Sequence, residues 1–120
     1  MFIRDLENCD ALAAGDETIL RQVLHPDKAD LVIRYSLAHA AVKPGRASRP
    51  HRLKSSEVYY ILEGEGVLHI GDESATVFAG HAIYVPPCAE QYIENSGDSD
   101  LKFLCIVDPA GKAEDEEISG

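Results

Sequence analysis

The stretch Pro44-Gly45-Arg46-Ala47-Ser48-Arg49-Pro50-His51-Arg52-Leu53-Lys54-Ser55-Ser56-Glu57-Val58-Tyr59-Tyr60-Ile61-Leu62-Glu63-Gly64-Glu65-Gly66 sets a period-two pattern between turn residues. His51, Leu53, Glu57, Tyr59 and Ile61 all fall on odd positions. In an extended chain with at most an even-length bend, these side chains share one face. Leu53, Tyr59 and Ile61 are apolar, so that face is expected inside, and His51 and Glu57 are carried in with it. An imidazole and a carboxylate in an apolar interior must pair, bind water or hold a metal ion, because an isolated buried charge is costly.

On either side the chain reads as short alternating runs closed by turn residues. Strands are expected over Thr18–Leu24, Leu31–Val42, Glu57–Leu62, Gly66–Ile70, Ser74–Phe78, His81–Val85, Gln91–Glu94 and Leu101–Val107. Turn signals recur about every 8–12 residues, the spacing of an all-β sandwich or barrel. Asp5–Ala14 is expected to hold one or two helical turns closed by Gly15. Many short antiparallel strands in one small domain must hide their edges, which a jelly-roll or a closed barrel does. A barrel of this size holds side chains or one small ligand, and its mouth is the default binding site.

The chain has 120 residues, which favours one domain. Residues 1–110 are expected to form it, with an arm at 1–30 and the barrel core at about 31–108. Residues 111–120, which include Glu114-Asp115-Glu116-Glu117, read as an acidic flexible tail. A net charge of -10, from 11 basic and 21 acidic residues, argues against binding nucleic acid or anionic membranes. No apolar run approaches the ~20 residues of a membrane helix, and the charged opening segment does not read as a signal peptide. A cytoplasmic location is therefore expected. Cys9, Cys88 and Cys105 are odd in number and lack CxxC spacing, so neither a disulfide framework nor a structural zinc site is indicated.

The spacing Gly45, His51-Arg52-Leu53, Glu57, Gly64 resembles the first motif of the cupin family. Gly80, Pro86-Pro87-Cys88, Gln91 and Asn95 resemble the second, with fifteen residues (Glu65 to Ala79) between the two motifs. The resemblance implies the cupin double-stranded β-helix and a pocket lined by His51, Leu53, Glu57, Tyr59, Gln91 and Cys105. Carried over by position, the family's metal ligands are His51, Leu53, Glu57 and Gln91. Leu53 ligates nothing and Gln91 offers only a neutral amide, so the resemblance implies a degenerate site for Zn, Mn, Ni or Fe at His51, Glu57 and Gln91. His39 or Cys105 is the candidate replacement ligand. Cys88, at a motif glycine, is expected to need no positive φ and to approach the pocket mouth.

The functional expectation is a divalent metal, a small polar organic ligand, or both, held in the barrel pocket. Glu57 and Tyr59 are the catalytic candidates. Isomerase, dioxygenase, decarboxylase or lyase chemistry on a small organic acid or sugar stays open. The alternative is a non-catalytic, metal-free small-molecule-binding or sensor cupin. Lys43, Arg46, Arg49, Arg52 and Lys54 either balance charge at a turn or form a rim attracting an anionic ligand. His69 is expected outside, His81 in a turn and His25 at a strand end. A homodimer is expected, with Thr18–Leu24 as its edge or intersubunit strand.

Overall fold

The computed structural model describes residues 1–13, 18–111 and 116–118. Among the described residues there are one 3-10 turn, Leu6–Asn8, and eleven strands. In chain order these are β1 Leu12–Ala13, β2 Ile19–Leu24, β3 Ser36–Val42, β4 His51–Leu53, β5 Ser56–Glu63, β6 Glu65–Ile70, β7 Glu73–Phe78, β8 Ala82–Val85, β9 Gln91–Asn95, β10 Leu101–Asp108 and β11 Glu116–Ile118. One sheet has the order β1-β2-β3-β10-β5-β8 and the other β11-β4-β9-β6-β7. Every pairing is antiparallel. The two sheets enclose one core as a jelly-roll barrel, in which alternate residues of each strand face inward.

The odd face of β5 is inside, as its alternation dictates: Glu57, Tyr59 and Ile61 are buried while Tyr60 and Leu62 are exposed. On β10 both faces are apolar in sequence, and the odd set Leu101, Phe103 and Cys105 is the buried one. On β3 the buried set is Ser36, Ala38, Ala40 and Val42.

Several expectations need correction. The long strand over Leu31–Val42 begins only at Ser36. Arg34 is held outside it by a fork to Asp108, with Nε on Oδ1 at 2.8 Å and Nη2 on Oδ2 at 3.1 Å. Because the even residues of β3 face in, His39 points away from the core with Leu37 and cannot supply a missing imidazole to it. The other sheet packs on the small-residue face of β3, which leaves the bulkier face outside.

The helical expectation at Asp5–Ala14 reduces to a single 3-10 turn, capped by Asp5 Oδ1 accepting from Glu7 N–H at 3.0 Å. Gly15 lies outside the described residues. The second strand is covered only in part: among the described residues β1 pairs with Ile19 and Leu20 on one side, while β3 runs along the other. Within the expected flexible tail, Glu116–Ile118 forms β11 against β4, pairing Glu116 with Leu53 and Ile118 with His51. The unpaired rim of the three-residue β4 recruits those residues as a strand.

Cys88 has φ 68° and is exposed, against the expectation that it needed no positive φ and approached the pocket. The cause is local. The Ala89 N–H reaches the Pro86 carbonyl at 3.3 Å, so Pro87 and Cys88 are the central residues of a turn. Proline at the first central position and positive φ at the second are the pattern of a type II turn. Lys43-Pro44-Gly45-Arg46 repeats it, with Arg46 N–H on the Lys43 carbonyl at 3.0 Å, and there the second central residue is Gly45 at φ 75°. Gly66 serves a different need: a Cβ built on it would lie 2.7 Å from both the Glu94 carbonyl oxygen and Leu101 Cδ2. That closeness lets β6 and β9 pack beneath Leu101.

Candidate binding cavity

A cavity of about 280 Å³ opens between the sheets. It exists because its walls are built partly from small residues, Ser36, Ala38 and Ala40 on β3 with Ser48 opposite. His51 and Leu53 reach it from one sheet, and Glu57, Tyr59, Phe103 and Cys105 from the other. His51 and Glu57 are 4% and 5% exposed. The odd-position face read from the sequence therefore does line one space, although the bend at Lys54-Ser55 sends its two halves into different sheets.

His51 Nδ1 lies 2.8 Å from the Arg49 carbonyl. A carbonyl only accepts, so Nδ1 carries the proton, and in the neutral ring the lone pair is on Nε2. Gln91 is 1% exposed and sits directly across the β4–β9 ladder from His51, but it does not form part of the cavity wall. Its Oε1 accepts the hydroxyl proton of Tyr59, a bond that ties the two sheets together behind the cavity. Asn95, the other polar landmark of the second motif, is likewise structural. Its Nδ2 donates to the Val42 and Ser99 carbonyls at 2.8 Å each, and its Oδ1 accepts from Gly97 N–H at 2.9 Å.

Of the expected pocket residues, His51, Leu53, Glu57, Tyr59 and Cys105 line the cavity. Sequence reasoning missed Thr18, Gln22, Ser36 and Phe103, which line it too. The alternation of small residues on β3 was the available clue. The other imidazoles lie elsewhere. His25 is buried beyond β2, its Nδ1 accepting from Asp27 N–H at 3.0 Å and its Nε2 on the Gly111 carbonyl at 3.1 Å. His69 stacks on Tyr92 with centroids 4.1 Å apart, and His81 Nδ1 accepts from Phe78 N–H at 3.1 Å. The basic cluster stays off the cavity wall; Arg52 reaches the Cys88 carbonyl and Glu90, each at 3.3 Å.

The cupin-domain sequence profile matches residues 38–107. The chain belongs to the cupin family. This cupin is 41% identical over 104 residues to an uncharacterized protein of Methanocaldococcus jannaschii, covering 86% of this chain and 82% of that one. It is 33% identical over 88 residues to the oxalate-binding protein of Thermotoga maritima, covering 72% and 68%. Among solved structures, the polyketide cyclase RemF of Streptomyces resistomycificus superposes with a TM-score of 0.78 at 23% identity, covering 92% of this chain and 81% of that one. A predicted oxalate decarboxylase of Thermotoga maritima gives 0.78 at 23% identity, covering 90% and 99%. These two likenesses concern the fold. No helix among the described residues is long and apolar enough to cross a membrane.

Cupins commonly carry a metal ion. The expected ligands reduce to His51 and Glu57, with the candidate replacement Cys105 on the same wall, since Leu53 replaces a histidine and the Gln91 carbonyl is committed to Tyr59. Among the described residues no group of three or more His, Cys, Asp or Glu side chains is placed to hold a metal ion. Structural and catalytic sites for zinc and similar ions take at least three protein ligands. Among the described residues the donors of the cavity wall therefore do not make up such a three-ligand set.

Proposed function

We propose that this cupin binds one compact organic molecule in its barrel cavity without a resident metal ion. The observation that carries this reading is the cavity itself. It is mostly apolar, with His51 and Glu57 presented from opposite sheets and Leu53 standing where the family pattern has a ligand. A concave apolar space with a few convergent polar groups is the usual form of a small-molecule site. Its volume lies near the lower end of such sites, which restricts the ligand to roughly the size of a single ring with a short side chain. Tyr59 acts as wall and brace, because its hydroxyl is committed to Gln91. Glu57 and His51 orient the ligand.

The test is elemental analysis of protein purified without a nickel column, before and after incubation with Mn, Fe, Ni and Zn. A His51→Ala/Glu57→Ala double variant runs beside it. The expected result is substoichiometric metal in both proteins. Near-stoichiometric metal in the native protein that disappears in the variant overturns the metal-free reading.

A further inference from the structure

Gln22 stands on the cavity wall with a polar atom that the fold leaves unmet: its Oε1 is buried and has no hydrogen-bond partner among the described residues. The strand ladder explains this. Gln22 lies opposite Ala38 across β2 and β3, and Leu20 with Ala40 forms the next inward pair, so these neighbours offer no side-chain donor. Ser36 lines the same wall but donates nothing to that oxygen. Beyond Gln22 the register shifts: Leu24 pairs with Leu37, which makes Val23 an extra residue in β2. A bulge of this kind re-aims side chains and is common beside binding sites. Here it ends the inward alternation, so that Thr18, Leu20 and Gln22 line the cavity and Leu24 does not.

A buried acceptor without a donor costs stability, because it has given up water and gained no partner. On the wall of a binding cavity the missing donor can come from the ligand. The terminal torsion of a glutamine is soft, and Gln22 also borders a second space of about 40 Å³ beyond β2, which leaves the amide room to turn. The carboxamide oxygen is uncharged, and a neutral donor enters an apolar space at far lower desolvation cost than an ion. A site built to hydrogen-bond a hydroxyl discriminates strongly against an analogue that lacks it.

We infer that Gln22 sets the specificity of the cavity: its Oε1 accepts the hydroxyl proton of an uncharged, ring-sized ligand whose apolar body lies against Leu20, Ala38 and Ala40. This rests on the binding function just proposed.

Two measurements on the full chain test it. Isothermal titration calorimetry with benzyl alcohol and benzyl methyl ether compares a probe that donates with one that only accepts. The native protein is expected to bind the alcohol about tenfold more tightly than the ether, and Gln22→Leu is expected to bring that ratio to near unity by weakening the alcohol alone. Thermal unfolding without ligand is expected to give Gln22→Leu a Tm a few degrees above the native protein, since the variant removes the unmet acceptor; Gln22→Met serves if Gln22→Leu fails to fold. A preference for the alcohol that survives in the variant, a preference for the ether, or a variant Tm at or below the native value overturns the role of Gln22 and leaves the binding function standing. Binding of neither probe to the native protein overturns both the role of Gln22 and the ring-sized ligand of the proposed function.

Discussion

Replacing Asn95 by alanine tests the claim that the polar end of the second motif is a structural clamp and not part of a binding site. The side chain is 5% exposed and makes three hydrogen bonds, to the carbonyls of Val42 and Ser99 and from the N–H of Gly97. Those partners lie at the end of β3 and in the turn between β9 and β10, so the amide joins the two sheets at the barrel end. Each bond contributes about 1 kcal/mol net, and a partner left buried without one costs more. Water can reach the turn side, which moderates the loss at Ser99 and Gly97. The expected destabilisation is therefore about 3 kcal/mol, a large share of the roughly 5–15 kcal/mol typical of a domain. Urea unfolding should show it as a lower midpoint at unchanged slope, and calorimetry as a fall in Tm of about 10 °C. Asn95→Asp should be no better, because its second oxygen would face two carbonyls. A loss below about 0.5 kcal/mol in Asn95→Ala, the range of ordinary surface changes, would refute the clamp.

Cys88→Gly should stabilise the protein by about 0.5–1 kcal/mol, since it relieves a left-handed residue and returns part of the gain as chain entropy; urea midpoints of the two proteins decide it. His39 has its pKa lowered from 6.5 by burial first, then by Lys102 and Arg21, with Glu63 opposing. The unfolded chain therefore takes up that proton first, and stability should fall as pH drops below about 6.5. His39→Asn should flatten that slope in pH-dependent melting curves. Tyr60, Leu62, Tyr84 and Ile106 are exposed on the outer face of the six-stranded sheet, and a second copy of the chain is the occupant we expect there. Light scattering at micromolar concentration should give twice the mass of one chain, and Tyr60→Glu/Ile106→Glu should halve it; a native monomer would refute the dimer.

Sequence alone determined an all-β barrel and the inward set His51, Glu57, Tyr59 and Ile61, and the cupin resemblance is what made that barrel a jelly roll. Alternation on a strand is a local property, and the glycine and proline spacing marks turns that the backbone must make. The turn at Pro86–Ala89 was legible in principle as well, because Lys43–Arg46 repeats it with glycine in place of Cys88. Where both faces of a strand are apolar, alternation alone decides nothing. On β3 and β10 the decision came from the opposite sheet, which covers the small-residue face of one and the Phe103–Cys105 face of the other. That choice removed His39 from the site and placed Cys105 in it. Pairing with the free rim of β4 drew Glu116–Ile118 out of an acidic run that composition reads as solvated. The cavity depends on the tertiary structure most of all. Its volume is what remains when small residues from strands distant in sequence face one another, and no local pattern records that distance. The same folding turned Gln91 from a candidate ligand into the partner of Tyr59, because a hydrogen bond between two sheets exists only once both are in place.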